Sequence, residues 1–303
     1  MKDLTTELKK LETRTLDNLK LSKAQNTMRA YRSDYKDFAS FCVRHNLQSI
    51  PANPKVISLY ITHLSKTFKY STLKRRLASI NVMHKYKGHY IDLKHPIIVE
   101  NLLGIKRQIG THQKSKKPLL FNDLKIIINQ INEDNLNNYK KSRNKTLILV
   151  GFSGGFRRSE LVAISKDDVE FVKEGVKIFV RRSKSDQTGQ GMTKAIPYFN
   201  DLHYCPVKSL KEWMNINKSN LVFPISDKNV SLLIKKYAYK AGLDPKKYAG
   251  HSLRSGFATV AAESGADERS IMAMTGHKTT QMVRRYIREA NIFKNNALNK
   301  VKF

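Results

Sequence analysis

The chain has 303 residues, which at roughly 100–200 residues per domain suggests two domains, and its 56 Lys and Arg against 25 Asp and Glu give a formal net charge of +31. With 40% hydrophobic residues in periodic runs it is not a disordered chain; no stretch approaches the roughly 18 apolar residues of a membrane helix, and MKDLTTELKK lacks the apolar core of a signal peptide. Cys42 and Cys205 stand far apart and outside any CxxC pair, which excludes a disulfide framework or a cysteine zinc site and fits a reducing, intracellular compartment. The first half reads as helices. Met28, Tyr31, Phe38 and Phe41, with Tyr35 between them, form an amphipathic stripe over 24–45. After Pro51-Ala52-Asn53-Pro54 a second stripe runs through Ile57, Tyr60, Ile61 and Leu64. Ser71 and Thr72 offer an N-cap for Leu73, Leu77 and Ile80, and past Pro96 the period continues at Ile98, Leu102, Ile105 and Ile109. Residues 1–109 are therefore expected to be a bundle of about four helices, with Arg29, Arg32, Lys74, Arg75 and Arg76 on solvent faces and residues 1–20 unassigned. The polar, basic segment GTHQKSKKP, residues 110–118, ends in proline and reads as a linker.

Residues 119–303 are mixed. Phe121 to Ile131 and Tyr139 to Phe152 read as helices, the second interrupted by Gly151 and then by Gly154-Gly155. The period then shortens to that of strands: Val169 to Val172 alternates, Glu174-Gly175 marks a turn, and Val176 to Val180 is rich in β-formers. A Gly- and Gln-rich stretch, Ser183 to Met192, precedes a third short run, Thr193 to Tyr198. Three short antiparallel strands with a mobile loop before the last are expected. Helices follow from Cys205 onward, punctuated by Gly242, Gly250, Gly265 and Gly276. The fold class is thus mainly α with a small antiparallel sheet, a helical N-terminal unit preceding an α+β unit.

The charge is not confined to a tail. Residues 1–117 hold 24 Lys/Arg against 8 Asp/Glu, and residues 118–303 hold 32 against 17. Excess in both halves suits a partner that is a polyanion, bound through phosphate contacts and counterion release. Arg29, Arg32, Lys74, Arg75 and Arg76 are the candidate nucleic-acid contacts of the first half. A lysine-rich surface kept for solubility is the bland alternative. Nine single histidines without HExxH or a Cys/His cluster give no metal site, and without GxxxxGK(S/T) there is no phosphate loop; no cofactor is expected.

An enzyme acting on DNA from this chain must then use Arg, Lys, His and a side-chain nucleophile, because charge stabilisation of a five-coordinate phosphorus supplies most of such catalysis. Three segments supply these groups: Gly155-Phe156-Arg157-Arg158-Ser159-Glu160-Leu161, His251-Ser252-Leu253-Arg254, and Gly276-His277 with Tyr286 nine residues after the histidine. On a helix His251 and Arg254, at i and i+3, share a face and reach one phosphate. Each segment alone has a structural alternative: solvated or capping arginines, a chance His-x-x-Arg pair, and a half-buried tyrosine beside Met282 and Val283.

Taken together, in this order and spacing, the segments resemble the tyrosine recombinase (phage integrase) family over nearly the whole chain. GGFRRSELVAI is similar to that family's first arginine box, HSLR to its His-x-x-Arg box, GHKTTQMVRRY to its His-to-Tyr box, and SKAQNTMRAYRSDYKDFASFC to the opening of its helical core-binding domain. The resemblance implies a SAM-like core-binding bundle over 1–109, a linker over 110–118, and an α+β catalytic domain with a C-terminal tail over 119–303, in the simple Xer- or Cre-like layout. It implies Tyr286 as nucleophile, Arg157, Arg254 and His277 on the non-bridging phosphate oxygens, and His251 for proton exchange with the tyrosine. Lys184, in RRSKSDQTGQG, becomes the general acid on the departing 5′-oxygen, with Lys177 and Lys194 as fallbacks, and Glu160 orients the first arginine. A 3′-phosphotyrosine intermediate conserves the bond energy, so neither ATP nor metal is needed.

The implied partner is double-stranded DNA carrying a specific recombination site, with a homotetramer, a dimer of dimers, on two such sites. The place of action is cytoplasmic and nucleoid-associated. The tail from Arg288, carrying Ile292, Phe293, Leu298, Val301 and Phe303, either docks on a neighbouring protomer or packs on its own domain. Two other readings compete: a type IB topoisomerase-like nicking-closing enzyme, and a non-catalytic DNA-binding relative.

Overall fold

The computed structural model describes residues 2–21, 23–111, 116–183, 186, 189–290 and 296–301. The chain divides into two compact units, residues 1–114 and 115–303. The first is helical: α1 (Lys2–Leu21), α2 (Gln25–Arg44), α3 (Pro54–Ser65), α4 (Tyr70–Tyr86) and α5 (Pro96–Ile109). Residues 1–20, unassigned by pattern, thus form α1 almost throughout. The expected stripes of α2 to α4 are core: Phe38, Phe41, Ile57, Tyr60, Ile61, Leu64, Leu73, Leu77 and Ile80 pack together with Ile98 and Ile105 of α5. Both Pro54 and Pro96 occupy the first helical turn, where a missing N–H costs nothing, and Asn53 and His95 cap those helices by accepting from Lys55 N and Ile97 N.

Two expectations for this unit are corrected. Ser71 and Thr72 do not cap α4, which begins at Tyr70 with Lys69 as its N-cap and no side-chain cap. Arg76 does not face solvent. Its guanidinium lies over the Phe68 ring, donates to Tyr60 Oη at 2.8 Å and pairs with Asp37 at 2.5 Å and with buried Asp34 at 3.6 Å. Arg75 also pairs with Asp34 but keeps 45% of its side chain exposed, and Arg29, Arg32 and Lys74 are exposed. Ser79 Oγ donates to the same Asp34 carboxylate at 2.8 Å. Two acids one turn apart on α2 therefore recruit α4 arginines that a period count places at the surface.

The second unit runs α6 (Phe121–Glu133), α7 (Asn138–Ser153), α8 (Arg158–Leu161), β1 (Val169–Val172), β2 (Gly175–Val180), β3 (Met192–Pro197), α9 (Pro206–Ile216), α10 (Asp227–Lys240), α11 (His251–Glu263), α12 (Glu268–Thr275) and α13 (Thr280–Ala290). The strands form one antiparallel sheet in the order β1-β2-β3, as expected, with Val169 opposite Ile178 and Val176 opposite Ile196. Its buried face carries Val176, Ile178, Val180 and Ile196, and Lys194 on the same face. Helix α7 is the centre of the unit: Leu147, Ile148, Leu149 and Val150 are all buried, and a helix apolar all round belongs inside. Gly151 does not interrupt it. A Cβ there would lie 2.9 Å from Leu253 Cδ1 and 3.0 Å from Leu161 Cδ2, so the glycine lets α11 and α8 approach α7. Among the described residues no helix is long and apolar enough to cross a membrane.

Candidate active site

The site starts where α7 ends. The chain turns through Gly154 and Gly155, the latter at φ +54°, and delivers Arg157 as the N-cap of α8. Glu160, three residues on and buried, reaches back: one oxygen accepts from Arg157 N at 2.9 Å, and the other pairs with Arg157 Nη1 at 2.5 Å. The first arginine is therefore held at backbone and side chain by one carboxylate. Arg157 Nη2 lies 3.5 Å from Gly276 O, tying it to the far wall of the site.

Beneath this turn lies Lys194. Its ammonium is fully buried and donates to Gly154 O at 2.7 Å, Gly155 O at 3.4 Å and Met274 O at 2.6 Å, against the face of Phe156 and 4.0 Å from Glu160. Burial brings its pKa down to about 7, with Glu160 opposing and the Arg254 and Arg157 charges adding to the depression. All three ammonium hydrogens are thus engaged with carbonyls of the Gly154-Gly155 turn and the end of α12. It joins the two segments that precede Arg157 and His277. Lys177 points from the opposite face of the sheet, about half exposed beside Glu170 at 3.8 Å. Lys184 lies outside the described residues. Of its loop, Asp186 accepts from Gly189 N and Gly191 N at 2.9 and 2.8 Å.

Helix α11 contributes the second pair. His251 is its first residue and is open to solvent, whereas Arg254, one turn on, is completely buried. Arg254 Nη1 donates to Gly155 O at 2.9 Å; Nε and Nη2 are buried and have no hydrogen-bond partner among the described residues. Leaving such donors unpaired is costly, about 1–3 kcal/mol each, unless an anion is to meet them. Desolvation, then the charge of Arg157, draws the Arg254 pKa down to about 10, so it stays cationic at neutral pH. Desolvation, followed by Arg254, Arg157 and Arg158, also lowers His251.

The last wall is α12 and α13. Asp267 caps α12, accepting from Arg269 N and Ser270 N, and Gly276 ends it in the left-handed region at φ +61°. That reversal, cheap only for glycine, turns His277 inward, where it is 7% exposed. Its Nδ1 is 2.8 Å from Thr275 Oγ1. Burial, then Arg254, Arg157, His251 and Lys194, push its pKa down to about 4. Helix α13 docks through buried Val283, which packs with Ala258, Ala262 and Ile271; Tyr286, one turn on, is half-buried with its ring centroid 6.2 Å from that of His277.

Arg157, His251, Arg254, His277 and Tyr286, drawn from four segments about 130 positions apart at the extremes, line one open cleft of about 840 Å³. Two arginines beyond the expected set line it too: Arg158, whose Nη1 is 3.4 Å from Asp227 O, and Arg285, which shares the cleft while Arg284 turns away to Glu268 at 3.0 Å. An RR pair on a helix always places its members on different faces, so adjacency alone cannot say which one enters. No group of three metal-ligating side chains occurs among the described residues. The cleft has the makings of a phosphate site: several cations, two histidines and a phenol.

Residues 117–291 match the model of the Phage integrase family, and residues 14–89 match that of its N-terminal SAM-like domain. Fold and cationic cleft define an enzyme that breaks and rejoins DNA. An integrase/recombinase xerD homolog of Selenomonas ruminantium is 40% identical over 300 residues, covering 93% of this chain and 87% of its own. Tyrosine recombinase XerC of Staphylococcus aureus (strain bovine RF122 / ET3-1) is 24% identical over 289 residues, 91% of either chain. In fold the chain is similar to the Tn1549 transposon integrase in complex with transposon right end DNA, at a TM-score of 0.63 and 14% identity over 90% of this chain and 94% of that one. It is similar also to a lambda integrase dimer bound to a core site, at 0.60 and 17%, over 93% and 75%. The chain belongs to the phage integrase family and is a tyrosine-type site-specific recombinase.

Proposed function

We propose that Tyr286 is the nucleophile of this recombinase and that Arg157, Arg254, His251, His277 and Lys184 complete its machinery. In the cleavage step Tyr286 Oη attacks the scissile phosphorus, the bond from phosphorus to the 5′-oxygen breaks, and a 3′-phosphotyrosine forms. The phenol has a reference pKa near 10 and must lose its proton on attack; His251, whose pKa is lowered by desolvation and then by the surrounding cations, takes it. Arg157 and Arg254 hold the non-bridging oxygens, and Lys184 protonates the departing 5′-oxygen. Glu160 acts through Arg157, fixing its guanidinium. The reverse steps, with a different 5′-hydroxyl, complete strand exchange without ATP or metal. The observation that carries the reading is the buried Nε–Nη2 edge of Arg254, without a hydrogen-bond partner among the described residues, in the cleft that also holds Tyr286.

The substrate is double-stranded DNA at a specific recombination site, bound in part by Arg29, Arg32, Lys74 and Arg75 of the first unit, and the enzyme works where such DNA is, in the nucleoid. It acts as a homotetramer on two sites. Two features support exchange of tails between copies: Leu298 and Val301 are 59% and 50% exposed rather than packed, and an apolar groove of about 340 Å³ between Phe121, Phe152, Phe199, Phe257 and Met274 is open to receive such residues. A nicked suicide substrate tests the chemistry. Wild type should give a denaturant-stable protein–DNA adduct at Tyr286, and Tyr286→Phe should give none while binding DNA with unchanged affinity. An adduct in the Phe variant overturns the assignment.

A further inference from the structure

Thr275 is fully buried in the last turn of α12, and its hydroxyl meets two partners: Oγ1 is 2.6 Å from Ile271 O and 2.8 Å from His277 Nδ1. A hydroxyl has one hydrogen. Ile271 O only accepts, so that hydrogen goes to the carbonyl, and the hydroxyl turns a lone pair to the imidazole. Nδ1 must therefore carry a proton. In the neutral ring the proton is then absent from Nε2, the nitrogen on the far side of the ring from Thr275.

We propose that Thr275 is a positioning residue that locks His277 in the Nδ1–H form, so that His277 donates to a phosphate oxygen only after Nε2 has taken up a second proton on substrate binding. The inference rests on the reading that the cleft holds the scissile phosphate. A neutral ring locked this way presents a lone pair to the anion, which is repulsive; the imidazolium presents N–H and a full charge. The groups facing His277 are Arg157 at the start of α8, Arg254 and His251 of α11, Lys194 of β3 and Tyr286 of α13. The cations among them, together with burial, hold the free enzyme's His277 at about 4 and therefore neutral. A phosphodiester brings the one negative charge that offsets this crowd, and with it protonation becomes favourable. Uptake of a proton is then built into loading of the cleft.

The tautomer is read directly in the free protein. With ring-¹⁵N-histidine labelling, two-bond proton–nitrogen spectra at neutral pH should show His277 as the Nδ1–H form, its signals identified by their loss in His277→Gln. Thr275→Ser should keep that form, and Thr275→Val, of the same shape without the hydroxyl, should shift it towards Nε2–H. The rate of adduct formation on the suicide substrate should fall about tenfold per pH unit above the His277 pKa of the complex in wild type and in Thr275→Ser. Thr275→Val should lose that alkaline limb, because its neutral ring can donate from Nε2, at a lower maximal rate. An Nε2–H ring in wild type, or a Val profile that superimposes on it, overturns the proposal. If Thr275→Val does not fold, the wild-type and Ser spectra decide. Absence of adduct in every protein would refute the strand-transfer reading instead, while the spectra still decide the role of Thr275.

Discussion

Arg157 and Arg158 are neighbours in sequence with separate tasks. Arg157 is gripped by Glu160 and reaches the Gly276 wall, whereas Arg158 runs past Gly250 to Asp227 O. Arg157→Ala should lower adduct formation by orders of magnitude, since a preorganised donor at developing charge is worth about 3–4 kcal/mol, and Arg158→Ala should cost far less. Single-turnover cleavage rates check the order; equal losses would place both on the phosphate. For Lys184 the leaving group is the probe. Lys184→Ala should cleave an ordinary substrate very slowly and a 5′-phosphorothiolate, whose thiolate departs without a proton, at nearly the wild-type rate. Arg254→Ala should not be rescued, because the partners proposed for it are non-bridging oxygens; equal slowing of both substrates by Lys184→Ala would make the lysine a backbone contact. At this scale the motif letters were legible and the pairings were not. Arg76 read as solvent-facing because its helix position is polar, but Asp34 and Asp37 come from another helix. Lys194 read as a loop-flanking lysine because burial of an ammonium requires three carbonyls that a sequence does not display.

Elements bring the residues into register, and close approach of helices does it. Helix α11, which carries His251 and Arg254, rests on the segment entering the second unit: Leu119 N donates to Ser252 O at 2.9 Å, and a Cβ on Gly256 would lie 2.0 Å from Leu119 O. That neighbour is backbone and cannot swing aside. Gly256→Ala should therefore destabilise the protein by about 1–3 kcal/mol, as overpacking does, and displace Arg254 enough to slow cleavage. Denaturant midpoints and adduct rates measure the two effects; an Ala variant as stable as wild type would mean that α11 is free to shift. The periodic stripes of α2, α3 and α4 were readable because one face is buried and the others are wet. The second half of helix α7 gives no such stripe, being buried on all sides, and there Gly151 reads as a break although it is a point of contact. The start of α4 is hidden for a related reason: Ser71 and Thr72 are capping types, but they fall inside the first turn after Lys69.

Over the whole molecule, charge and tail set what the isolated site cannot. With 56 basic residues in both halves, DNA affinity should fall about a thousandfold or more between 50 and 200 mM salt, as for proteins making six to ten phosphate contacts. The slope of that dependence should be shallower in Arg29→Ala, Arg32→Ala or Lys74→Ala, and unaltered in Arg76→Ala, whose charge is paired with Asp37 and Asp34. The tail poses the sharper question, because Tyr286 lies only a few residues before it. Helix α13 is anchored by Val283 in the cluster with Ala258, Ala262 and Ile271, and Tyr286 packs against that cluster, so the packing described around Tyr286 lies within its own unit. Deleting residues 291–303 should consequently leave the adduct on a single-site suicide substrate within about twofold of wild type, the usual scatter of sites that share no partner. Recombination between two sites should be lost, because exchange requires copies to hold one another and the apolar residues Leu298 and Val301, exposed on their own chain, would no longer reach a neighbour. Assembly on paired sites, followed by native electrophoresis, should show the same loss. If the truncated protein also fails to form the single-site adduct, the tail supports its own domain, and the grip between copies must come from other surfaces.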